Sequence, residues 1–306
     1  MVYLGHMNQG GANGRSAGFT IVETMIVLAV TGVMLISIIG LISGKQNKTE
    51  FQQAINDVVT RLQQSAREVS IGYYPGLAGR QCTAVGSISF GGSGSEQGAN
   101  GGCVFLGKIL QFSPTDAAHN KGNEEYGAYT LAGCQFKDCS TNPSTPIASS
   151  FEEAQPIAVQ QVATNPITSN FPDATDWYTL ANGLSTVSMS YTCDPSVDTC
   201  PGTSPNATRA FGLLQSLGTY SGCSGLCSGS QQAGLYGVKM PDPANYNDMN
   251  TVLTQVNAAG AVNLVPAQQV TICLRSGTTN QSGRITIGAD TSSVSLKIFD
   301  GGGCGA

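Results

Sequence analysis

The residue in the most unusual chemical setting is Glu23, the only charged residue between Arg15 and Lys45. The segment around it, Gly18 to Ser43, is almost entirely apolar. As a helix, its part from Phe19 to Ile42 is about 36 Å long, enough to cross a hydrocarbon core of roughly 30 Å. Because an isolated carboxylate is costly in apolar surroundings, an acidic residue inside a spanning segment is first interpreted as functional. We therefore predict a membrane helix with a functional carboxylate near its start.

Cysteines are the second group with chemical potential, and all ten come after the apolar segment: Cys82, Cys103, Cys134, Cys139, Cys193, Cys200, Cys223, Cys227, Cys273 and Cys304. An even number behind a membrane-crossing signal indicates disulfides formed in an oxidising compartment. Spacing does not fix the pairing. It suggests local bridges in the close pairs Cys134/Cys139, Cys193/Cys200 and Cys223/Cys227, and a Cys273/Cys304 bridge that ties down the C-terminus. The alternative for Cys223 and Cys227 is a zinc half-site, which their unusual gap and the scarcity of histidine disfavour.

Other catalytic and metal-binding groups are sparse. The histidines are His6, near the start, and His119, in a polar stretch typical of a solvated loop, so a His-dependent Ser or Cys mechanism is disfavoured. The Gly-rich stretch 91–102 lacks the Lys-Ser/Thr of a phosphate loop. Two polar clusters could hold calcium but lack the spacing of a known calcium loop, so turn capping is the favoured interpretation: Asp173/Asp176 and Asp242/Asn245/Asn247/Asp248. We predict no enzyme, no metal and no cofactor.

Composition limits the architecture. The 306 residues are 41% hydrophobic and 11% charged, with 39 glycines and a net charge of −5. This size suits one anchor with one substantial domain, or with two small ones, and the composition favours short strands and turns. Because no Lys/Arg block occurs, a general nucleic-acid binder is disfavoured.

The helix is predicted to continue beyond the apolar segment. Between Lys45 and Ile71, apolar residues recur every three or four positions: Phe51, Ile55, Val58, Leu62, Ala66 and Val69. The pattern ends at residues 72–76, which contain Gly and Pro. One helix from Phe19 to Ile71 would be about 80 Å long.

After Pro75 the pattern changes to short alternating or apolar runs rich in Val, Ile, Tyr and Thr, which predict strands. These runs are 81–90, 103–112, 126–132, 157–162, 184–192, 210–217, 235–240, 269–275, 284–288 and 294–299. Residues 91–102, 140–150 and 221–230 are predicted loops, and 245–256 a short helix. The predicted fold class is α+β, with one long N-terminal helix packed on an antiparallel β-rich domain.

The sequence Gly18-Phe19-Thr20-Ile21-Val22-Glu23, followed at once by a long apolar helix, resembles the processing signal of type IV prepilins and type II secretion pseudopilins. The small residues 16–18 precede the apolar core, whereas an ordinary secretory signal carries its cleavage site after that core. The resemblance implies that a membrane-bound prepilin peptidase cuts after Gly18 and methylates the new amino terminus of Phe19. It also implies that Glu23 neutralises this ammonium group, on its own or a neighbouring subunit, and sets register during assembly. The plain alternative is a Glu near the lipid headgroups with no role in assembly.

Two glycines of the apolar segment bear on the resemblance, one as a match and one as a departure. Gly32 is the fourteenth residue of the implied mature chain, where many pilins carry Gly, and Gly40 is the twenty-second, where Pro is frequent. Each Gly costs roughly 1 kcal/mol of helix stability relative to Ala. They could mark a segment that melts in a filament or allow close helix–helix packing, and both interpretations remain open.

Residues 62–72, 270–275 and 283–288 are also similar to the end of the long helix and to the closing strands of H-type minor pseudopilins. The resemblance implies a pilin-like fold with a leader at 1–18, a transmembrane and assembly segment at 19–43, an amphipathic helix at 44–72 and an extracytoplasmic domain at 73–306. It implies a structural subunit, major or minor, although the size and the cysteine-rich domain favour a minor one. The subunit would sit in the cytoplasmic membrane before it joins a pilus or periplasmic pseudopilus. Its expected partners are other subunits and the prepilin peptidase.

Two further functions remain open. One is a pilus-tip module that binds DNA or a surface ligand. Its DNA footprint would be Arg275, Arg284 and Lys297, diluted by Asp290 and Asp300. The other is an exported enzyme that only shares the signal, which the histidine count disfavours.

Overall fold

The computed structural model describes residues 18–72, 80–83, 87–90, 103–113, 122–140, 142, 144–159, 175–193, 209–215, 233–238, 264–288, 293–301 and 303–304. The chain divides into two compact units, Met1–Asn47 and Lys48–Ala306. One helix, α1 (Ile21–Ile71), contributes to both. The predicted long helix is therefore confirmed.

In the second unit, α1 buries one face. The predicted apolar stripe, from Phe51 to Val69, is at most 6% exposed at every position. Except for Ser65, its polar positions remain at least partly accessible, as the amphipathic pattern requires. The helix ends at Ile71 and is followed by Gly72, whose φ of +68° lies in the left-handed region that glycine adopts without penalty. The predicted stop at residues 72–76 is thus confirmed at Gly72.

The described residues after α1 form twelve strands, one short α-helix and three single-turn 3-10 helices, Gly122–Glu124, Lys137–Cys139 and Ala181–Gly183. The strands are β1 (Arg80–Thr83), β2 (Ser87–Phe90), β3 (Cys103–Phe112), β4 (Glu125–Cys134), β5 (Ile157–Val159), β6 (Thr175–Thr179), β7 (Leu184–Cys193), β8 (Ala210–Gln215), β9 (Ala233–Val238), β10 (Leu264–Ser276), β11 (Gln281–Gly288) and β12 (Val294–Asp300). The helix, α2, spans Phe151–Ala154. Every described strand pair is antiparallel. The α+β class with an antiparallel β-rich domain is confirmed.

One ten-stranded sheet connects most of these strands. Its main path runs β12-β11-β10-β9-β8-β3-β4-β5, while β6 also pairs with β4 and β7 with β10. Strand β10 joins two parts of the sheet, because its first residues pair with β9 and the remainder pairs with β7 and β11. A separate two-stranded sheet pairs β1 with β2.

Two strand predictions were wrong in detail. The run 81–90 was predicted as one strand but contains two, because the chain reverses and Thr83 pairs with Ser87. Strand β6 was not predicted, because five residues with Asp at the second position show little alternation. This strand includes Asp176, so that residue lies in a sheet rather than in a capping turn. Among the described positions of 140–150 there is only an isolated bridge from Phe136 to Ile147, as expected for a loop. The predicted helix 245–256 lies outside the described residues.

The two parts of the sheet differ in how they are covered. Around β3 and β4, both faces are buried: one packs in the cluster that contains the α1 stripe, and the other packs with Phe151 of α2 and with Tyr236. In the part formed by β7, β10, β11 and β12, one face is buried against the α1 cluster, through residues such as Ile272 and Ile285. The opposite face carries polar residues at alternate positions. Only this second part offers an open sheet surface among the described strands.

Two contacts set how closely α1 approaches the sheet. A Cβ placed on Gly283 of β11 would lie 1.9 Å from the Cδ1 atom of Ile55, so a side chain there collides with the helix. Near the end of α1, the Nζ atom of Lys108 lies 2.5 Å from the Oε2 atom of Glu68. The Lys108 side chain is only 7% exposed. The glycine permits close packing, and the ion pair fastens β3 to the helix.

Candidate functional site

The predicted cleavage segment lies outside the helix and is accessible. Residues Gly18, Phe19 and Thr20 lie outside the helix, which begins at Ile21, and all three are exposed. A Cβ placed on Gly18 would meet no atom within 4 Å. The Gly18–Phe19 peptide bond therefore lies in a segment that a peptidase could bind without first unwinding α1.

Thr20 fixes the start of α1. Its side-chain oxygen accepts a hydrogen bond of 3.2 Å from the backbone N–H of Glu23, which is the N-cap contact of a Thr-x-x-Glu capping box. The reciprocal contact, from the Glu23 carboxylate back to the Thr20 N–H, is not formed. The helix start is thus stabilised by a residue on the mature side of the predicted cut, and the Glu23 carboxylate has no hydrogen-bond or ion-pair partner in the described part of the chain.

The first unit exposes the apolar surface of α1. Phe19 is 75% exposed, and Ile21, Leu28 and Ile36 are exposed to a similar extent. The segment Ile21–Ile39 is long and apolar enough to cross a membrane, and its length and position suit an anchor or a signal sequence. A surface of this kind is unfavourable in water and requires lipid or protein around it.

The hydroxyl groups of this segment are already satisfied. Thr24 donates to the carbonyl of Ile21 at 2.8 Å, Thr31 donates to a carbonyl of the preceding turn at 2.8 Å, and Ser37 does so at 2.9 Å. Such bonds let Ser and Thr reside in apolar surroundings at low cost. Glu23 therefore remains the one strongly polar side chain of Ile21–Ile39 that requires an external partner.

Gly32 and Gly40 both lie within the continuous helix α1. A Cβ placed on Gly32 would meet no atom within 4 Å, so no contact in the described part of the chain requires a glycine at this position. Both open interpretations, helix melting and close packing with another helix, place the reason outside the isolated chain.

The structure contains the two disulfides Cys134–Cys139 and Cys273–Cys304, both among the pairings suggested by sequence. Cys193 is also disulfide-bonded. The backbones of Cys82 and Cys103 lie in β1 and β3. Cys200, Cys223 and Cys227 lie outside the described residues. No cysteine in the described part of the chain is free.

The three cations predicted as a DNA footprint lie on one face of the sheet. Arg284 pairs with Lys297 across β11 and β12, and Arg275 lies two residues from Cys273, the β10 partner of Arg284. Because side chains alternate along a strand, all three share the face opposite α1. We call this surface of β7, β10, β11 and β12 the outer face. Asp300 does not reduce the positive charge of the outer face, because its carboxylate accepts a hydrogen bond from Gln281 and lies 3.8 Å from the Nζ atom of Lys48.

Phe299 also belongs to the outer face, and sequence analysis missed it. The guanidinium carbon of Arg284 lies 5.4 Å from its ring centroid, and the Nζ atom of Lys297 lies 5.3 Å away. The alternation of β12 offered a signal, since Lys297 and Phe299 are two residues apart and must share a face. The position of Arg284 beside Lys297 and Phe299 follows only from the pairing of β11 with β12.

Several candidate residues lie outside the described residues: His119, Asp173, Asp242, Asn245, Asn247, Asp248 and Asp290. Within the described ranges, no group of three or more His, Cys, Asp and Glu side chains could hold a metal ion.

Comparisons with protein-family models, with curated proteins and with solved structures found no match to this chain. The candidate site therefore has to be interpreted from its own chemistry.

Proposed function

We propose that this chain is a structural subunit, of the minor class, in a filament of the type IV pilus or type II secretion kind. The observation that carries the proposal is the start of α1. An accessible non-helical segment precedes a capped helix, the helix exposes an apolar surface, and Glu23 is its one unpaired charge near the start.

Cleavage of the Gly18–Phe19 bond by a prepilin peptidase would create an ammonium group at Phe19, four residues before Glu23. In apolar surroundings, the positive terminus and the Glu23 carboxylate are each costly alone and stabilise one another as a pair. Because Thr20 caps the helix from the mature side, loss of the leader leaves α1 intact. The leader's removal thus completes an electrostatic pair without disturbing the helix.

Residues 19–43 would first reside in the cytoplasmic membrane as a single-pass helix with the β-rich domain outside the cytoplasm. Lipid then covers the apolar surface. In the filament, helices of neighbouring subunits replace lipid, and a Glu23 carboxylate can pair with the Phe19 ammonium of its own or an adjacent subunit. The pair would act as a register mark, because an apolar surface alone permits sliding.

Mass spectrometry of the chain expressed with a prepilin peptidase tests the processing step. The expected mature protein starts at Phe19 and carries one added methyl group. Gly18→Val tests the cut itself, because a side chain at this position contacts nothing within the subunit. An uncleaved wild-type chain, or a cut after residue 43, would reject the proposal.

Glu23→Gln tests assembly separately from processing. We expect normal cleavage of this variant and at least a tenfold loss from sheared filaments in a strain that assembles them. Thr24→Val is the matched control, since it lies on the same turn and loses only hydroxyl bonds to the Thr20 and Ile21 carbonyls of its own chain. Equal recovery of Glu23→Gln and wild type would contradict the role of the carboxylate.

A further inference from the structure

The outer face holds two like charges in a position that usually costs stability. Arg284 and Lys297 are direct partners across β11 and β12, and like charges directly opposite one another in a sheet repel. Neither cation has a carboxylate partner among the described residues, although the chain contains 19 acidic residues and only 14 Lys and Arg. An anion that bound here would remove the repulsion.

The two cations are held in position. Phe299 lies beside both, at distances that permit cation–π attraction. Arg284 also donates a hydrogen bond to the carbonyl of Cys304. That carbonyl is fixed in turn, because Cys304 is bonded to Cys273 and the Ser282 hydroxyl is within 2.8 Å of the Gly303 carbonyl oxygen. The side chains are therefore partly ordered before any ligand arrives, which lowers the entropic cost of binding.

Arg275 extends the positive surface. It is exposed, and its strand partner Ser282 pairs in turn with Phe299. With strands about 4.8 Å apart, the three cations span roughly 10–12 Å, on either side of the C-terminal residues that bond Ser282 and Cys273. By strand register, hydroxyl and amide side chains occupy most of the other accessible outer-face positions: Ser185, Ser188, Ser190, Thr192, Gln269, Thr271, Thr286 and Ser295. Ser282 and Cys273 are buried on this face, because the Ser282 hydroxyl donates to the Gly301 and Gly303 carbonyls and Cys273 is bonded to Cys304. No acidic residue lies at a described position of this face.

We propose that the outer face binds single-stranded DNA. Cations and hydroxyl groups are the side chains that contact phosphate oxygens, and an aromatic ring with a guanidinium plane can stack unpaired bases. The accessible part of this four-stranded sheet suits a single strand, whose bases can lie against it. It does not suit a duplex, whose base edges are read by elements that enter a groove. The net charge of −5 repels a polyanion elsewhere, so contact is confined to this face.

This inference is independent of filament assembly and is tested on the purified full-length chain in an uncharged detergent. Fluorescence anisotropy with fluorescein-labelled (dT)20 measures binding across a salt series. Three neutralised phosphates predict a slope of log affinity against log salt of about −2, or a loss of about 20-fold between 50 and 200 mM salt. Absence of salt-sensitive binding at micromolar protein would overturn the proposal.

Variants locate the surface. Arg275→Gln and Lys297→Gln should each reduce the salt slope by about 0.7, the contribution of one phosphate on a single strand. Phe299→Leu should weaken binding by about 5- to 150-fold, the range of one stacked base. Lys137→Gln is the matched control: it removes one positive charge from a side chain that faces Glu153 rather than the outer face. If Lys137→Gln reduced the salt slope as much as the outer-face variants do, DNA would be attracted by the overall charge rather than by this face, and the proposal would be overturned.

Competitors identify the ligand class. A 20-base-pair duplex and dextran sulfate should each displace (dT)20 at least tenfold less effectively than unlabelled (dT)20 does. If dextran sulfate competes equally and Phe299→Leu has no effect, the face binds polyanions without reading bases, and the assignment to DNA fails.

Discussion

The Lys108–Glu68 ion pair makes a quantitative prediction about how α1 is fastened to the sheet. The Lys108 side chain is 7% exposed, and the Glu68 side chain is 36% exposed and also accepts a 2.8 Å bond from Gln64. Removing one partner of a buried pair costs roughly 3–5 kcal/mol, because the other charge stays buried. Glu68→Gln leaves the Lys108 ammonium group buried. Because Glu68 itself is partly solvated, we expect this variant to lower the free energy of unfolding by about 2–3 kcal/mol, less than the full cost.

The opposite substitution should be milder. Lys108→Met fills the same space without a charge, and water together with Gln64 can still solvate Glu68, so we expect about 1 kcal/mol or less. The double variant should resemble Lys108→Met, which gives a coupling energy of about 2 kcal/mol.

Equilibrium urea unfolding of the detergent-solubilised chain measures these free energies. The single tryptophan of the chain, Trp177, reports on the sheet, because its indole packs edge-on against Tyr129. If Lys108→Met costs as much as Glu68→Gln, or the coupling is below about 0.5 kcal/mol, the pair does not carry the burial penalty assigned to it.

Three further perturbations have defined outcomes in the same assay. Gly283→Ala should lower the free energy of unfolding by about 1–3 kcal/mol, because the added methyl group overpacks the space beneath α1. The control Gly303→Ala, with no atom within 4 Å of its added Cβ, should stay within about 0.5 kcal/mol of wild type. Equal costs for the two variants would contradict the close packing at Gly283. The Cys273→Ser/Cys304→Ser pair should cost roughly 3–4 kcal/mol, since the bridge closes a separation of 31 residues, and the other described bridge, with a separation of 5, should matter less. The pKa of Glu153 is lowered from 4.5 to about 2, first by a hydrogen bond from the backbone N–H of Ser149 and then by one from Lys137. The stability that the ionised Glu153 contributes is therefore present above pH 4.5 and is lost as the pH falls to about 2. The difference between wild type and Glu153→Gln should close over that pH window, and a constant difference would refute the assignment.

Local sequence signals predicted much of this fold. The periodic stripe from Phe51 to Val69 predicted which face of α1 is buried, because helical spacing fixes which side chains lie together. Alternation predicted β7 and β12 closely, because each buries only one face. The run 81–90 was wrongly predicted as one strand, because composition does not show where the chain reverses between two strands. Strand β6 was missed because its five residues show little alternation, and the pairing that makes it a strand comes from β4, about fifty residues away in the chain.

The candidate sites also contain features that local sequence predicts and features that only the coordinates show. The arrangement of Gly18, Phe19 and Glu23 depends on residues within two helical turns, so sequence could predict it. The half-formed capping box at Thr20 required coordinates, since the same residues could also have paired fully.

By itself, the sequence determined the apolar segment, its lone carboxylate, the amphipathic half of α1 and the β-rich character of the domain after it, because these depend on neighbours along the chain. Only the tertiary structure decided that Arg275, Arg284, Lys297 and Phe299 share one face and that Lys108 is buried beside Glu68. The reason is register. Side chains alternate with a period of two, so a slip of one residue between paired strands would move each of them to the opposite face. That register is set by long-range pairing and packing against α1, which no local pattern specifies.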